Sequence, residues 1–494
     1  MTHHYDTNAP SRVDLLIEHG VVITVDDQRR VIDDGAVAVL GNRIVAVGRT
    51  DELRARFTAQ KVIDARNKAV LPGLIDSHAH AGHAMLKTIG SEDGDAWMEA
   101  CQTIYTSASG IGFWEADARL SALERLKCGT TTGVSLLGGG DSIMRVDDPV
   151  YAQRHAQAIA DIGTRSVVAV GPSRPPAPHS YVDWSSEPPT RREVSFETMF
   201  EVCEEIARSC DGMGDGRVRI ALTLPVYAPQ YSTEHRELAP LFRQQAQDYL
   251  ALAKRHGLTF TQDGHRAGTL ALAHRELGLL GPTSFMSHCI DLTEEDIALC
   301  RETQTKIVHN PSAIMSILGR CPVPELIEAD VTVAIGSDGA APDRGYDMFR
   351  HMFQCMHYHR RHFRDPDILP QGKVLEMVTI DAARALSMEH EIGSLEVGKK
   401  ADIILIDLYK PHLMPMNMPV HRVTCFANGA DVCTTIVDGK VLMENYIVRA
   451  VDEAAVLAAV QEESERMLDR SGLRHLTEES KNLWRAARYR QPLN

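Results

Sequence analysis

His78 and His80 stand two residues apart at the end of the apolar segment Pro72-Gly73-Leu74-Ile75-Asp76-Ser77. Side chains alternate between the faces of an extended strand, so both imidazoles leave on the same side. Two imidazoles so placed can reach one cation, each nitrogen about 2.0–2.1 Å from it. Taken alone, a His-x-His pair is a weak signal, because surface histidines imitate it. Asp338, in Gly336-Ser337-Asp338-Gly339, follows another apolar run and is a second candidate for the same site. Its alternative is a turn or N-cap aspartate, since Asp-Gly is a common turn pairing.

The elements that would position these residues are short strand-like runs alternating with longer helical stretches. The runs are Leu74 to Asp76, Thr131 to Leu136, Ser166 to Val170, Val218 to Leu224, Leu258 to Thr261, Ser284 to Ser287, Lys306 to His309 and Val331 to Ile335. Apolar spacing of three and four marks helices over Ala116 to Lys127, Phe196 to Arg208 and Leu241 to His256; such β/α alternation is what a parallel sheet requires. Eight units over about 310 residues match a closed (β/α)8 barrel, an α/β fold, with an open doubly wound sheet as the alternative. In a closed barrel the first and last strands are neighbours. Closure would therefore set Asp338 beside His78 and His80 despite their separation in the chain.

Two β-rich pieces flank this region. Val13 to Ile17, Val21 to Val25, Gly35 to Leu40 and Ile44 to Val47 read as strands, with Gly41-Asn42 as a hairpin turn; Ala401 to Asp407, Thr434 to Val437 and Lys440 to Met443 repeat the texture. The expected organisation is an N-terminal part of a β-sandwich over 1–70, a barrel over 71–390, the C-terminal part of the sandwich over 391–450 and a helical tail over 451–494. Pro172 to Pro189 holds six prolines and Trp184 just after the third strand. A long loop at a strand's C-terminal end, where barrel active sites are built, reads as a substrate-side lid or as a decorative insertion.

At 494 residues, with 44% hydrophobic and 24% charged residues, the chain can bury a large core, and disorder is excluded. The net charge of −15 and the lack of a broad basic face argue against nucleic-acid binding; His359-Arg360-Arg361-His362 and the run from Arg485 to Arg490 read as solvated helix faces. The N-terminus, Met1 to Asp6, has no basic-then-apolar signal pattern, and no window approaches the roughly 18 apolar residues of a membrane span, which predicts a cytoplasmic protein with no membrane partner. Ten scattered cysteines without a CxxC pair suit reduced, buried thiols.

Several ordered motifs together resemble the amidohydrolase superfamily. They are Pro72 to His80, Gly-Thr-Thr-Thr at 129–132, Ser-His-Cys at 287–289, His309-Asn310-Pro311-Ser312, Gly336 to Gly339, Gly393 to Asp402 and Val437 to Lys440. The branch that looks nearest contains cytosine, guanine and triazine aminohydrolases. The resemblance implies a barrel whose strand ends hold one divalent metal ion, and a composite β-sandwich built from both flanking pieces. It further implies that His78 and His80 are metal ligands, that His288 binds metal or orients the water, and that Asp338 binds metal and takes the water's proton. Such roles suit a Lewis-acidic cation that lowers the pKa of water toward neutrality. The alternative for His288 is a core histidine satisfied by backbone, against which its place at a strand end after Ser284 to Ser287 favours function.

The fifth strand departs from the pattern. Related deaminases carry His-x-x-Glu there, whereas this chain has Gln262-Asp263-Gly264-His265. The alignment sets Gln262 at the ligand position, a weaker neutral oxygen donor, and His265 at the position of the proton-shuttling glutamate; His265 as the ligand is the alternative. The fourth strand, Val218 to Pro225, has no lysine to bridge two metals, which favours one ion per chain, zinc first, with cobalt, iron or manganese also compatible. Tyr227 falls where deaminases show a substrate-contacting His-Ala-Pro, and His309 matches a substrate-contacting position; a packed tyrosine and a turn histidine are the alternatives. Trp184, with His83, Trp97 and His179, is a further candidate for the mouth.

The expected function is therefore a mononuclear metal-dependent amidohydrolase. It would use activated water to cleave a C–N or carbamate-type bond in a small urea, carbamate or amide, because the ring-protonating glutamate is missing. The first alternative is an aminohydrolase of purine, pyrimidine or triazine rings, and the second a non-catalytic barrel. The expected partners are a small-molecule substrate and further copies of the chain in a homo-oligomer.

Overall fold

In a computed structural model that describes residues 10–90, 94–138, 145–479 and 483–484, the β-branched runs of the central region form eight parallel strands. The N-terminal Met1 to Asp6 segment and the run from Arg485 to Arg490 lie outside the described residues. The strands are Leu74–Asp76, Thr130–Leu136, Arg165–Val170, Val218–Thr223, Thr259–Gln262, Ser284–Ser287, Lys306–His309 and Val333–Ile335, and they pair in sequence order. Seven of the eight runs expected from the sequence agree with these within one residue at each end, and the last begins two residues later. The first and eighth strands meet through Ser77 N donating to Ile335 O at 3.2 Å and Asp338 N donating to His78 O at 2.9 Å. Gly336 is required at this seam, because a Cβ there would lie 2.8 Å from the backbone nitrogen of His78.

Alternation sorts the strand side chains into two cores. Ile75, Val134, Val167, Ala169, Ala221, Phe285, Val308 and Ala334 fill the lumen, closed below by Ala382 and Ala383 of the helix Ile380–Ala385 and by Leu386 just after it. Their neighbours Leu74, Val168, Val170, Leu222, Met286, Ile307 and Val333 point outward into the larger core shared with the surrounding helices. The lumen is thus a packed core up to the strand ends, where the polar residues begin.

The flanking pieces join, as the resemblance implies, in one composite unit, a continuous nine-stranded sheet around an apolar core that includes Leu15, Ile17, Val37, Val70, Ile403, Leu405 and Ile436. The N- and C-terminal pieces join where Lys68–Pro72 pairs antiparallel with Ile403–Asp407. The two strands expected over Val13 to Val25 are a single strand, Ser11–Ile23, with register shifts between Ile17 and Val22. A buried ion cluster ties this sheet to the barrel: Arg165 of the third barrel strand contacts Asp402 at 2.6 Å and Asp438 at 2.8 Å.

The proline-rich stretch is not the structureless loop the sequence suggests. His179–Asp183 and Thr190–Val194 form a two-stranded antiparallel hairpin. Fully buried Arg145 anchors it, pairing with Asp147 at 2.8 Å and donating to Val182 O at 3.0 Å. A helix, Glu453–Ser471, follows the sheet. No helix among the described residues is long and apolar enough to cross a membrane.

Candidate metal centre

Four side chains converge at the C-terminal ends of the barrel strands. The ligand atoms of His78, His80, Asp263 and Asp338 all lie within 4.8 Å of one another. His78 Nε2 is 3.2 Å from Asp263 Oδ1 and 3.5 Å from Asp338 Oδ1; His80 Nε2 is 3.3 Å from Asp263 Oδ2 and 3.2 Å from Asp338 Oδ1. His288 completes the group, with Nε2 2.9 Å from Asp263 Oδ1 and 3.7 Å from Asp338 Oδ1. His288 and Asp338 both have left-handed backbones, φ 64° and 61°. Such conformations persist in non-glycine residues only where the surroundings impose them, typically at functional sites.

Neighbouring groups set the carboxylates. Ser287 Oγ donates to Asp263 Oδ1 at 2.9 Å. Asp76, buried beneath His78, accepts from Ser337 N and Ser337 Oγ, both at 2.8 Å, and pairs with Arg125 at 2.8 Å. Asp76 thereby fixes the residue before Asp338 from across the seam. On the outer side, Arg344 lies 3.3 Å from Asp338 Oδ2, and His83 Nδ1 is 3.1 Å from Asp338 O.

Burial by itself would raise both carboxyls. The opposite happens: His80, His288 and His78 hold Asp263 well below the usual carboxylate range, and Arg344 and His288 do the same for Asp338. Burial likewise disfavours charged imidazoles, but Asp263 and Asp338 outweigh it and push His80 up to about 10, with His78 also raised. Two anions facing two imidazoles in a buried pocket need positive charge, which protons on the histidines or a divalent cation can supply. The donor chemistry, two imidazole nitrogens and two carboxylate oxygens, fits such a cation.

The fifth strand is where the structure and the sequence reading diverge. Gln262 ends the strand with its side-chain NH2 donating to Leu224 O at 3.2 Å and Pro225 O at 3.1 Å, and its Oε1 is buried without a protein partner. His265 is also fully buried, and its Nδ1 meets Thr269 Oγ1 at 2.9 Å. Asp263, between them, is the side chain that joins the group. The match to His-x-x-Glu passes over Asp263 because it sets Gln262 and His265 at the functional positions; an acidic residue before Gly264 (φ 95°) at a barrel mouth is the signal that points to it.

The substrate-side candidates are placed differently from one another. Tyr227 packs in an aromatic group with Tyr231 and Phe242, and its hydroxyl donates to Tyr231 O at 3.1 Å. Trp184 donates from Nε1 to Ser107 O at 2.9 Å, and Arg470 of the C-terminal helix covers its ring at 4.5 Å. His309 has no exposed surface and faces His359, ring centroids 5.5 Å apart. His83 is stacked between His80 and Trp97, at 4.7 and 5.4 Å, beside the metal-type group.

A family model described as "Amidohydrolase family" matches residues 69–442, and one described as "Imidazolonepropionase-like composite domain, bacteria" matches residues 35–59. The chain is 32% identical over 455 residues to a 5-methylthioadenosine/S-adenosylhomocysteine deaminase of Syntrophobacter fumaroxidans, covering 88% of this chain and 94% of that protein. It is 29% identical over 468 residues to a 5′-deoxyadenosine deaminase of Methanosarcina acetivorans, covering 93% and 99%. Among solved structures, an adenosine deaminase from Xanthomonas campestris with bound zinc shares the fold with a TM-score of 0.79 and 24% identity, over 93% of this chain and 100% of that one. The chain belongs to the amidohydrolase family. With that fold and a buried group able to hold a metal ion, it is a metal-dependent hydrolase of carbon–nitrogen bonds.

Proposed function

We propose that this hydrolase is an aminohydrolase that removes an exocyclic amine from a nitrogen heterocycle, with the adenine ring of a small nucleoside as the first candidate. The observation that carries this reading is the near full-length similarity to nucleoside deaminases, 32% identity over 88% of the chain. It displaces ureas, carbamates and amides, which the sequence alone favoured because the His-x-x-Glu glutamate is absent. Asp263 answers that objection in part: a carboxylate does stand at the end of the fifth strand, 2.9 Å from His288.

In this reading His78, His80, Asp263 and Asp338 hold one divalent ion, zinc first, and Gln262 stands behind Asp263 as a brace between the fourth and fifth strands. When bound, the ion supplies Lewis acidity that brings a water's pKa toward neutrality. Asp338 accepts a proton from the attacking water, positioned for it by Arg344 and by the Asp76–Ser337 contacts. His288, held against Asp263, carries the proton delivered to nitrogen as the carbon–nitrogen bond breaks, so that water and amine become carbonyl and ammonia. Arg344 and His83 close the outer side of Asp338 and limit access of bulk water.

The test is ammonia release by metal-loaded protein from 5′-substituted adenosines, aminopyrimidines and aminotriazines, beside amine release from phenylureas, carbamates and anilides. Ammonia from at least one aminopurine nucleoside, with the spectral change of adenine to hypoxanthine, is expected. Turnover confined to the urea, carbamate and amide panel would overturn the reading and restore the alternative.

A further inference from the structure

A second group of metal-type side chains lies apart from the catalytic one. The ligand atoms of His309, Cys355 and His359 all fall within 4.8 Å of one another, and all three residues are completely buried. His309 ends the seventh barrel strand; Cys355 and His359 sit four residues apart on the helix Met348–Phe363, and therefore on one face of it. Neither ring nitrogen of His309 nor of His359 has a hydrogen-bond partner. A neutral imidazole carries one donor and one acceptor, and protein interiors pair nearly all such atoms. Four orphaned ring nitrogens around one buried thiol need a partner that binds lone pairs.

We propose that His309, Cys355 and His359 hold a second metal ion, of zinc-like character, that ties the helix Met348–Phe363 to the end of the seventh barrel strand. One thiolate with two imidazoles selects zinc, cobalt or copper over magnesium or calcium. Tetrahedral coordination sets donors about 3.3–3.6 Å apart, so the three side chains need close in by no more than about 1.5 Å. Binding releases the Cys355 thiol proton to solvent as the sulfur–metal bond forms, which lowers the site's added charge from two to one. The nearby guanidinium of Arg320 is already matched by Glu325, at 3.0 Å. The ion also bears on catalysis at one remove: His309 O accepts from Gly336 N at 2.9 Å, and Gly336 stands two residues before Asp338. His309 is thus a structural ligand that steadies the loop carrying Asp338.

Cobalt(II) separates the two sites, because the catalytic group offers only nitrogen and oxygen donors. Full-length protein stripped of metal and titrated with cobalt(II) is expected to take up two ions per chain and to develop a near-ultraviolet sulfur-to-cobalt charge-transfer band. Cys355→Ser should abolish the band and one equivalent while leaving the other. His359→Gln should weaken the sulfur-linked site at least tenfold with an unchanged far-ultraviolet circular dichroism spectrum. No band in wild-type protein at saturating cobalt, or a band that survives Cys355→Ser, overturns the proposal. Should Cys355→Ser fail to fold, the wild-type band and its at least tenfold weaker titration in His359→Gln decide the matter. Failure of the catalytic site reads differently, as loss of the equivalent that carries no sulfur band.

Discussion

At the fifth strand, Gln262, Asp263 and His265, three polar side chains within four residues, divide their work as the backbone leaves the strand. Gln262 turns its amide to the carbonyls of Leu224 and Pro225, Asp263 turns into the pocket, and His265 faces Thr269. The expected outcome of Asp263→Asn is loss of catalytic metal, with affinity down at least tenfold and activity down about a hundredfold, read by elemental analysis beside turnover. Gln262→Ala should keep the metal and lose stability, because two strand-end carbonyls lose their donor. A retained ion and full activity in Asp263→Asn would remove Asp263 from the site. One residue further from the chemistry, Ser337→Ala deletes the hydroxyl that donates to Asp76 and accepts from Gly339 N at 3.0 Å. About a tenfold fall in kcat with unchanged metal content is expected, since the change loosens Asp338 without touching a ligand; a buried polar group left unpaired costs about 1–3 kcal/mol.

Between elements, the contacts that matter are ionic and buried. Arg165 holds two carboxylates, Asp402 and Asp438, where the third barrel strand meets the flanking sheet, and all three are almost fully buried. Replacing such a triad with apolar groups can be neutral, but removing one partner strands the rest. Arg165→Met should therefore lower unfolding free energy by about 3–5 kcal/mol in urea titrations, and a triple replacement of all three by apolar residues should recover much of it. The hairpin after the third strand depends in the same way on Arg145, whose ring contacts with Tyr151 at 4.1 Å and Tyr181 at 5.4 Å add to its pairing with Asp147. Trp184 therefore belongs to the joint between this hairpin and the C-terminal helix, where Arg470 covers it.

For the molecule as a whole, buried histidines make stability depend on acid. Burial pushes His155 down to about 3 and lowers His351, against an ordinary value of 6.5. Both have folded pKa values below their unfolded ones, so the unfolded chain binds more protons once pH drops below about 6.5, and stability must fall through that window. Asp117, raised by burial to about 6 and 3.9 Å from His155, acts oppositely: it takes up its proton in the folded state first and stabilises as pH falls from about 6 toward 3.8. Among these three groups, two lowered histidines against one raised carboxyl leave the histidines the net effect. Urea midpoints measured from pH 7.5 to pH 5 should decline below about 6.5, and His155→Gln should flatten the slope; an identical slope in that variant would assign the acid sensitivity elsewhere.

Local periodicity was enough to read the eight strands, their order and the helices between them, because strand and helix repeats are written in neighbouring residues. Closure followed from the count, and with it the meeting of His78 and His80 with Asp338. The same local signal pointed to the two β-rich flanks but not to their union in one sheet, since the pairing of Lys68–Pro72 with Ile403–Asp407 is a long-range choice. It also read the proline-rich stretch as a loop, because prolines obscured the alternation of a short hairpin whose anchor, Arg145, lies earlier in the chain. Which of Gln262, Asp263 and His265 enters the pocket, and the meeting of His309 with Cys355 and His359, were decided only by tertiary structure. Beyond the last paired residue of a strand no repeat governs side-chain direction, and contacts between a strand end and a distant helix leave no pattern in either segment alone.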